Sequence, residues 1–255
     1  MDSTAVKSLR ALEWLCLRDA PTGVTEMSVA LGVAKSNAHR ILTTLLSLGF
    51  VRHLGDGRYE PTLKTWEIGS AVLARYDIRE ISRSAMLALS AKCGETVHLS
   101  ILDDADVVYI DKVEGSHPVR AYSRVGGRAP AYAVATGKAL LAFHSDIESL
   151  LPKKLEAFTG RTVKTRAALF DELETVRKRG YAVNAGEWRE DVGGIAAPIL
   201  NDRGEVISAI GISGPIGRLG SDRVRALAPA VVASASDISH QCGYRERKPA
   251  GGRKV

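Results

Sequence analysis

One short segment, KSNAHRILTTLLS (residues 35–47), carries side chains that could read DNA. If the segment is helical, at about 100° per residue, one of its sides is polar. That side carries Ser36, Asn37, Arg40, Thr43 and Thr44. Arginine and asparagine form paired hydrogen bonds with guanine and adenine edges in the major groove. The segment therefore predicts a DNA-reading helix, with Arg40 near the middle of its polar face.

Basic side chains lie at the start of this segment and in the ribbon that follows it. Lys35 and His39 flank the N-terminal end of the polar face, where Ser36 and free backbone N–H groups suit a phosphate. The ribbon FVRHLGDGRYEP turns at Gly-Asp-Gly and carries the basic side chains Arg52, His53 and Arg58. We expect the ribbon to lie beside the DNA backbone or in the minor groove.

A polar outer face alone is typical of any solvated helix. The neighbouring elements therefore decide whether this helix reads DNA. Apolar residues from Val6 to Cys16 recur at helical spacing. A second helix, TEMSVAL, is predicted with Thr25 as its N-cap and Gly32 at its end. The third helix, predicted to end at Leu48, has an apolar stripe of Ala38, Ile41, Leu42, Leu45 and Leu46. Three helices and a hairpin in this order predict a winged helix-turn-helix DNA-binding domain over residues 1–62.

The pattern changes after residue 62. A linker helix is expected over residues 63–78, where its apolar side chains either pack in a dimer or form a buried hinge. Residues 79–244 alternate helical text with the strand-like runs ETVHLSIL, DVVYIDKV, VRAYSRV, YAVNAG, GGIAAPIL and VISAIGISG. Turns at 103–106 and 201–204 predict antiparallel hairpins, so the fold class is α+β. Residues 245–255 are expected to form a basic, disordered tail.

Composition limits the class of protein. The 255 residues are 45% hydrophobic and 25% charged, which is typical of globular domains. The net charge of +6 is weak evidence for DNA binding, because residues 1–78 hold nine Lys/Arg against eight Asp/Glu. No apolar run reaches the roughly 20 residues of a membrane span, and no signal peptide is evident. Three widely spaced cysteines predict reduced thiols, so we expect a cytoplasmic protein with no membrane partner.

No motif predicts a cofactor, a metal or catalysis. The Gly-Lys dipeptide at 137–138 is not a Walker loop, because Tyr132 and Ala139 replace the required glycine and Ser/Thr. The run DDAD at 103–106 is typical of a hairpin turn rather than a metal site. Three histidines also lack a metal-binding partner at ligand spacing: His98, His117 and His144. We therefore expect no cofactor, no metal and no enzyme activity.

Longer blocks resemble a known family. The stretch TEMSVALGVAKSNAHRILTTLLSLGFVRHLGDGRYEPTLKTWEIG resembles the DNA-binding region of the IclR (isocitrate lyase regulator) family of bacterial transcription factors. The blocks GETVHLSIL, VVYIDKV, RVGGRAPAYAVATGKALLAF and RGYAVNAGEWREDVGGIAAPILNDRGEVISAIGISGP are similar to it in order and spacing. The resemblance implies a dimer or dimer of dimers, a GAF/PAS-like antiparallel-sheet effector domain, and operator binding that a small metabolite alters.

The resemblance also implies an effector site. The contact positions of the family correspond here to Ala135, Thr136, Asn184, Gly194, Gly211 and Ser213. Asn184, Gly194 and Gly211 stand where members that bind small carboxylates have Asp, Cys and Ser. The loss of two side chains and a charge predicts a wider, less polar pocket for an aromatic or longer organic acid. Alternatively, the glycines let two backbones pack closely and Asn184 caps a turn.

We therefore expect a ligand-responsive transcriptional regulator of a metabolic or catabolic operon. It would bind a roughly palindromic double-stranded operator as a dimer or tetramer. The side chains expected to contact DNA are Thr25, Lys35, Ser36, Asn37, His39, Arg40, Thr43, Thr44, Arg52 and Arg58. The alternative is a small-molecule sensor whose N-terminal helices bind another protein rather than DNA.

Overall fold

The computed structural model describes residues 3–73, 78–120 and 123–245. The chain divides into two compact units, residues 1–76 and 77–255. The expected tail beyond residue 245 and the linker residues 74–77 lie outside the described residues. None of the helices in the described ranges has the length and apolar character needed to cross a bilayer.

The described part of the first unit contains four helices and a three-stranded antiparallel sheet. The helices are α1 (Ser3–Cys16), α2 (Val24–Leu31), α3 (Lys35–Ser47) and α4 (Lys64–Leu73). The strands are β1 (Thr22–Gly23), β2 (Val51–His53) and β3 (Arg58–Pro61), in the order β1-β3-β2. The predicted winged helix-turn-helix is confirmed, and the β2–β3 hairpin is its wing.

One apolar cluster holds α3 against the other elements of this unit. The buried side chains of α3 are Ala38, Ile41, Leu42 and Leu45. They share a core with Leu15 of α1 and Met27 of α2. Leu46, which was expected in the same stripe, is 39% exposed, so that part of the prediction is wrong. The buried stripe is therefore narrower, and α3 presents a wider surface to solvent.

The caps of α2 correct one prediction and confirm another. Gly23 is the N-cap and no side chain caps the helix, whereas Thr25 is an exposed residue inside the first turn. The helix begins early because Thr22 and Gly23 pair with β3 immediately before it. Gly32 ends the helix in the left-handed conformation, at φ 62°, and its N–H reaches the carbonyls of Ser28 and Val29.

The described part of the second unit packs helices on a six-stranded antiparallel sheet. The helices are α5 (Ile78–Cys93), α6 (Ala135–Phe143), α7 (Ile147–Leu150), α8 (Arg166–Arg179) and α9 (Ser221–Gln241). The strands are β4 (Thr96–Asp103), β5 (Asp106–Val113), β6 (Arg128–Pro130), β7 (Ala182–Ala185), β8 (Val192–Leu200) and β9 (Val206–Pro215). Their order is β6-β5-β4-β9-β8-β7, which confirms the α+β class.

The two predicted hairpins form where the turn residues indicated. Asp104 takes a positive φ of 53° between β4 and β5, and Gly204 takes φ 80° between β8 and β9. The carboxylates of Asp103 and Asp106 both pair with Arg128. The DDAD run thus forms a turn whose acidic side chains bind the neighbouring strand.

The predicted strand VRAYSRV is wrong for the residues of this run that the structure describes. Residues 119, 120 and 123–125 are not in a strand, and residues 121–122 lie outside the described residues. The edge strand is β6, which starts only after Gly126 reverses the chain at φ 79°. The β-branched and aromatic residues of the run have a high propensity for strands. The pairing with β5 is nevertheless formed by residues 128–130, which come later in the chain.

Candidate functional site

The outward face of α3 carries the predicted polar residues. Lys35, Ser36, His39 and Arg40 are exposed, and Asn37 is half-buried. No side chain caps the helix, whose N-cap is Ala34. Among the described residues, none pairs with the side chains of Lys35, Ser36 or His39. The start of α3 therefore offers one unpaired ammonium and free backbone N–H groups to an anion.

Asn37 and Arg40 form a pair on this face. The guanidinium Nη2 of Arg40 donates to Oδ1 of Asn37 at 2.8 Å. The bond fixes the amide orientation of Asn37, so its NH2 group points away from Arg40. It also holds the arginine along the helix axis while leaving its other donors free. The two residues that suit direct base recognition therefore present one joined set of hydrogen-bonding groups.

Thr43 and Thr44 use their hydroxyl protons within the helix. Their Oγ1 atoms donate to the carbonyls of His39 and Arg40, at 3.0 Å and 2.9 Å. Such bonds to the preceding turn occupy the hydrogen that a phosphate would need. Both residues are exposed and still offer a methyl group and an acceptor oxygen to a base edge.

Both wing arginines are paired with carboxylates of the wing itself. Arg52 binds Glu60 across the β2–β3 ladder. Arg58 donates from Nε to Oδ2 of Asp56 at 2.6 Å, and Oδ1 of the same residue accepts the Arg58 backbone N–H. The hydrogen bond from Arg58 lowers the pKa of Asp56, which stays ionised. The wing thus carries two cations and two anions, and no net charge from these four residues.

Two cations that the sequence analysis did not select lie near α3. Lys7 and Arg10 of α1 line a surface groove together with Val33, Ala34 and Asn37. Both are exposed, and the structure pairs neither with a carboxylate among the described residues. Their spacing of three residues on one helix places them on the same side, which is the signal that could have found them.

The strand register of the second unit gathers the predicted effector positions. Asn184 of β7 pairs with Gly194 of β8, which pairs in turn with Ser213 of β9. Gly211 lies two residues before Ser213, on the same side of β9, and pairs with His98 of β4. These rows end beneath the start of α6, where Ala135 and Thr136 begin the helix.

All six predicted effector positions line one cavity of about 40 Å³. The other lining residues were not predicted from the sequence, and they are His98, Tyr109, Ser123, Val134, Trp188, Arg189, Val192 and Ile212. A pattern in β4 could have indicated part of this wall. Thr96, His98 and Ser100 alternate with apolar residues, and the three polar side chains are nevertheless buried.

His98 is an uncharged member of the cavity wall. Its Nε2 lies 2.6 Å from the hydroxyl of Ser123, and its Nδ1 lies 3.4 Å from that of Ser213. Complete burial, reinforced by the positive charge of Lys112, lowers the pKa of His98 to about 3. The ring is therefore neutral near pH 7 and contributes hydrogen-bonding groups, not charge, to the cavity wall.

Positive potential at the cavity comes from other groups. No side chain caps α6, so the backbone N–H groups at Ala135 and Thr136 carry the positive end of the helix dipole. Arg189 lines the cavity and is exposed, with its guanidinium stacked 4.6 Å from the ring centre of Trp188. Burial raises the pKa of Tyr109 to about 12, and the positive charge of Arg189 opposes part of that rise.

The substituted positions do not widen the cavity, which corrects the expected effect of the glycines. A Cβ atom at Gly211 would lie 2.8 Å from both Thr136 Cγ2 and Ala196 Cβ. At Gly194 it would lie 3.0 Å from the carbonyl oxygen of Ile212 and 3.6 Å from Cβ of Ala135. The start of α6 and the neighbouring strands occupy the space that side chains at these two positions would fill.

Asn184 caps a turn, which was the alternative interpretation of this residue. Its Oδ1 accepts the backbone N–H groups of Gly186 and Glu187, at 3.1 Å and 2.9 Å. The side chain therefore caps the turn after β7, while the residue still lines the cavity. The wider pocket inferred from positions 184, 194 and 211 is thus not what the structure contains.

Comparison with known proteins agrees with both units. Residues 4–55 match the IclR helix-turn-helix domain, and residues 70–240 match the family described as bacterial transcriptional regulator IclR C-terminal. The regulator KdgR of Escherichia coli strain K12 is 34% identical over 228 residues, which cover 88% of this chain and 87% of KdgR. The transcriptional repressor IclR of the same organism is 33% identical over 239 residues, covering 91% and 87%.

Solved structures share the fold over nearly the whole chain. The Thermotoga maritima IclR structure has a TM-score of 0.81 at 32% identity and covers 96% of this chain and 100% of its own. An IclR homologue from Microbacterium hydrocarbonoxydans, crystallised with 4-hydroxybenzoate, has a TM-score of 0.81 at 24% identity and covers 94% and 99%. Relatives of this kind are DNA-binding transcriptional regulators and not enzymes. With a confirmed winged helix-turn-helix and matches over both units, the chain belongs to the IclR family of bacterial transcriptional regulators.

Proposed function

We propose that α3 reads an operator through the joined Asn37–Arg40 pair. The observation that carries this assignment is an exposed helix face with a free ammonium, a fixed base-reading pair and no carboxylate in α3. Arg40 suits a guanine edge and Asn37 an adenine edge. Lys35, Ser36 and His39 suit phosphates at the start of the helix, and Thr25 suits one from the first turn of α2.

The wing contacts the DNA backbone by exchanging partners. Arg52 and Arg58 are each held by a carboxylate in the free protein, so each phosphate contact requires the existing ion pair to open. Exposed pairs of this kind contribute little to stability, so opening them to form a phosphate contact costs little free energy. The wing is accordingly a weak contributor to affinity, and α3 with Lys7 and Arg10 supplies the stronger positive field.

A second copy of the chain covers the apolar side of α4. Leu63, Trp66 and Ile68 are 75%, 65% and 50% exposed, and Leu63 and Trp66 lie three residues apart on one side. Adjacent exposed apolar side chains of this size mark a protein interface. A dimer built there would present two α3 helices to half-sites about 34 Å apart, which fits a roughly palindromic operator.

The effector of the second unit is a small organic carboxylate. Its oxygens would bind the N–H groups at the start of α6 and the hydroxyls of Thr136 and Ser213, while Arg189 supplies the charge. A volume of about 40 Å³ holds about three water molecules, and therefore an anion of few non-hydrogen atoms. An aromatic acid, the expectation from the sequence, would need the segment bearing Trp188 and Arg189 to move outward. Tyr109 and Trp188 would then supply its aromatic contacts.

A thermal-shift series tests the effector class. Pyruvate, glyoxylate and 4-hydroxybenzoate are added to the full chain at rising concentration. A ligand at 100 times its Kd raises the unfolding temperature by about 5–10 °C for a domain of this size. We expect pyruvate or glyoxylate to do so. Stabilisation by 4-hydroxybenzoate alone would contradict the small-carboxylate assignment and support the larger acid.

DNA footprinting on the region flanking the gene tests operator binding. We expect a protected palindrome, and a change in its affinity when the stabilising carboxylate is added. The change equals the difference in ligand affinity between the two DNA-binding states and no more. Absence of any protected sequence, with the protein folded, would overturn the proposal and favour protein contacts through the N-terminal helices.

A further inference from the structure

A buried ionic cluster lies beside the effector cavity. Lys138 of α6 is fully buried, with 0% of its surface exposed. Its Nζ lies 2.6 Å from Oε1 of Glu172 and 2.7 Å and 2.8 Å from the two carboxylate oxygens of Glu187. One ammonium thus joins two carboxylates from different parts of the second unit. Neither the lysine nor Glu187 has a part in the effector contacts described above.

Stability alone does not account for this cluster. Taking an ammonium out of water costs several kcal/mol, and an apolar side chain of similar volume is often at least as stabilising in such a position. Every other residue of α6 from Ala135 to Ala142 is also buried, in a mostly apolar core. A methionine or leucine at position 138 would continue that core. The bonds to Glu187 and Glu172 are therefore better explained by the segments of the fold that they hold together.

Glu187 lies in the middle of the segment that forms one wall of the cavity. The segment begins at Asn184, whose side chain accepts the Glu187 N–H, and continues into Trp188 and Arg189. The Glu187 carbonyl accepts the hydroxyl of Thr162 at 2.5 Å. Another part of the cavity wall is Thr136, two residues before Lys138 on the same helix. The Lys138–Glu187 bonds consequently tie these two parts of the wall together.

We propose that Lys138 and Glu187 are positioning residues that set the distance between the start of α6 and the wall formed by residues 184–189. Glu172 anchors the ammonium from α8, and Glu187 transmits its position to Trp188 and Arg189. Loss of the Glu187 bonds releases this wall and exposes the cavity. The arrangement of the wall is a property of the free protein, and only its consequence for affinity rests on the proposed effector function.

The structure provides a matched pair of variants. Glu187→Gln and Glu172→Gln each remove one carboxylate from the same ammonium, which keeps its other partner in either variant. Only Glu187 lies in the segment 184–189, in which Asn184, Trp188 and Arg189 line the cavity. Burial raises the pKa of the Glu187 carboxyl, so a neutral amide of the same shape suits the site and folding is expected to survive. Glu187→Asp, which keeps the charge but shortens the reach, serves as a second variant.

Acrylamide quenching of Trp188 fluorescence measures the position of the wall without a ligand. Trp14 and Trp66 are replaced by phenylalanine, so that Trp188 is the one tryptophan left among the three of the chain. We expect Glu187→Gln and Glu187→Asp to raise the quenching constant about twofold, as local opening does. Glu172→Gln is expected to leave it unchanged. No rise in either Glu187 variant, or an equal rise in Glu172→Gln, would overturn the proposal.

Pyruvate titration by calorimetry adds the functional consequence. We expect Glu187→Gln to weaken pyruvate binding about tenfold, equivalent to about 1.4 kcal/mol, and Glu172→Gln to leave it unchanged. A purely structural role would lower the unfolding temperature of both variants without separating their affinities. If neither pyruvate nor glyoxylate binds the unaltered protein, the proposed effector class is wrong, and the fluorescence result still decides the positioning role.

Discussion

Because carboxylates of the wing neutralise its arginines, we expect that removing the negative charge of Asp56 will strengthen DNA binding. Asp56 holds Arg58 through a charged hydrogen bond of 2.6 Å, and the same carboxylate accepts the Arg58 backbone N–H. Asp56→Asn removes the charge but keeps an oxygen that can accept that N–H, so the turn is preserved. The guanidinium then loses its ionic partner and becomes available to a phosphate.

The expected size follows from counterion release. Each additional phosphate contact steepens the dependence of log K on log salt by about 0.9 on duplex DNA. Between 50 and 200 mM salt, a fourfold change, the affinity advantage of Asp56→Asn over the unaltered protein should therefore shrink by about 3.5-fold. Because the contact is to the backbone, the effect should be equal on operator and random DNA.

Fluorescence anisotropy on a random-sequence duplex at several salt concentrations measures this slope. Glu67→Gln is the control, because it changes the net charge equally on α4, where Glu67 is exposed and pairs with no other described residue. Equal slopes for the unaltered protein and Asp56→Asn would refute the reasoning that the carboxylate withholds Arg58. Equal steepening by both variants would show a general charge effect instead.

Three further predictions concern base reading, pH and assembly. Arg40→Ala should weaken operator binding by about 1–3 kcal/mol and relax base preference. Arg58→Ala should instead weaken binding to all DNA sequences about equally. Equal losses of affinity on operator and random DNA for Arg40→Ala would contradict its assignment. Because burial lowers the pKa of His98 from 6.5 to about 3, the unfolded state binds more protons between these values, and stability should fall by about 2 kcal/mol on acidification from pH 7 to pH 5. Denaturant unfolding at both pH values checks this, with His98→Gln expected to lose that part of the dependence. Trp66→Asp should convert the dimer into monomers in light scattering at micromolar concentration, and an unchanged mass would place the interface elsewhere.

The sequence predicted the elements whose signals are local. The alternation of apolar and polar residues in α3 placed four of its five stripe residues correctly, and the acidic turn at 103–106 formed the predicted hairpin. Both depend on neighbours within a few positions. The strand at VRAYSRV failed because propensity does not say which residues a neighbouring strand will pair with.

The remaining features depend on partners distant in sequence. Arg52 pairs with Glu60 only because the wing register sets these residues opposite each other. The space beside Gly211 is occupied by the side chain of Thr136, which lies 75 positions earlier in the chain. The ammonium of Lys138 is likewise buried between two glutamates that helical periodicity cannot select. The candidate cavity residues could therefore be named from the family resemblance, while the cavity's size could not.

The charge distribution of the first unit separates specificity from affinity. Nine cations and seven anions in residues 1–76 nearly cancel, and both wing arginines are part of that cancellation. Non-specific binding depends on total phosphate neutralisation, so a neutral wing keeps it weak. The joined Asn37–Arg40 pair contributes binding free energy only where the bases match its hydrogen-bonding groups. Because backbone contacts act equally on operator and random DNA, weakening them lowers both affinities and leaves their ratio to the base-reading pair. Asp56 and Glu60 would then act as restraints on the wing, and the Asp56→Asn variant should gain affinity while losing none of its base preference.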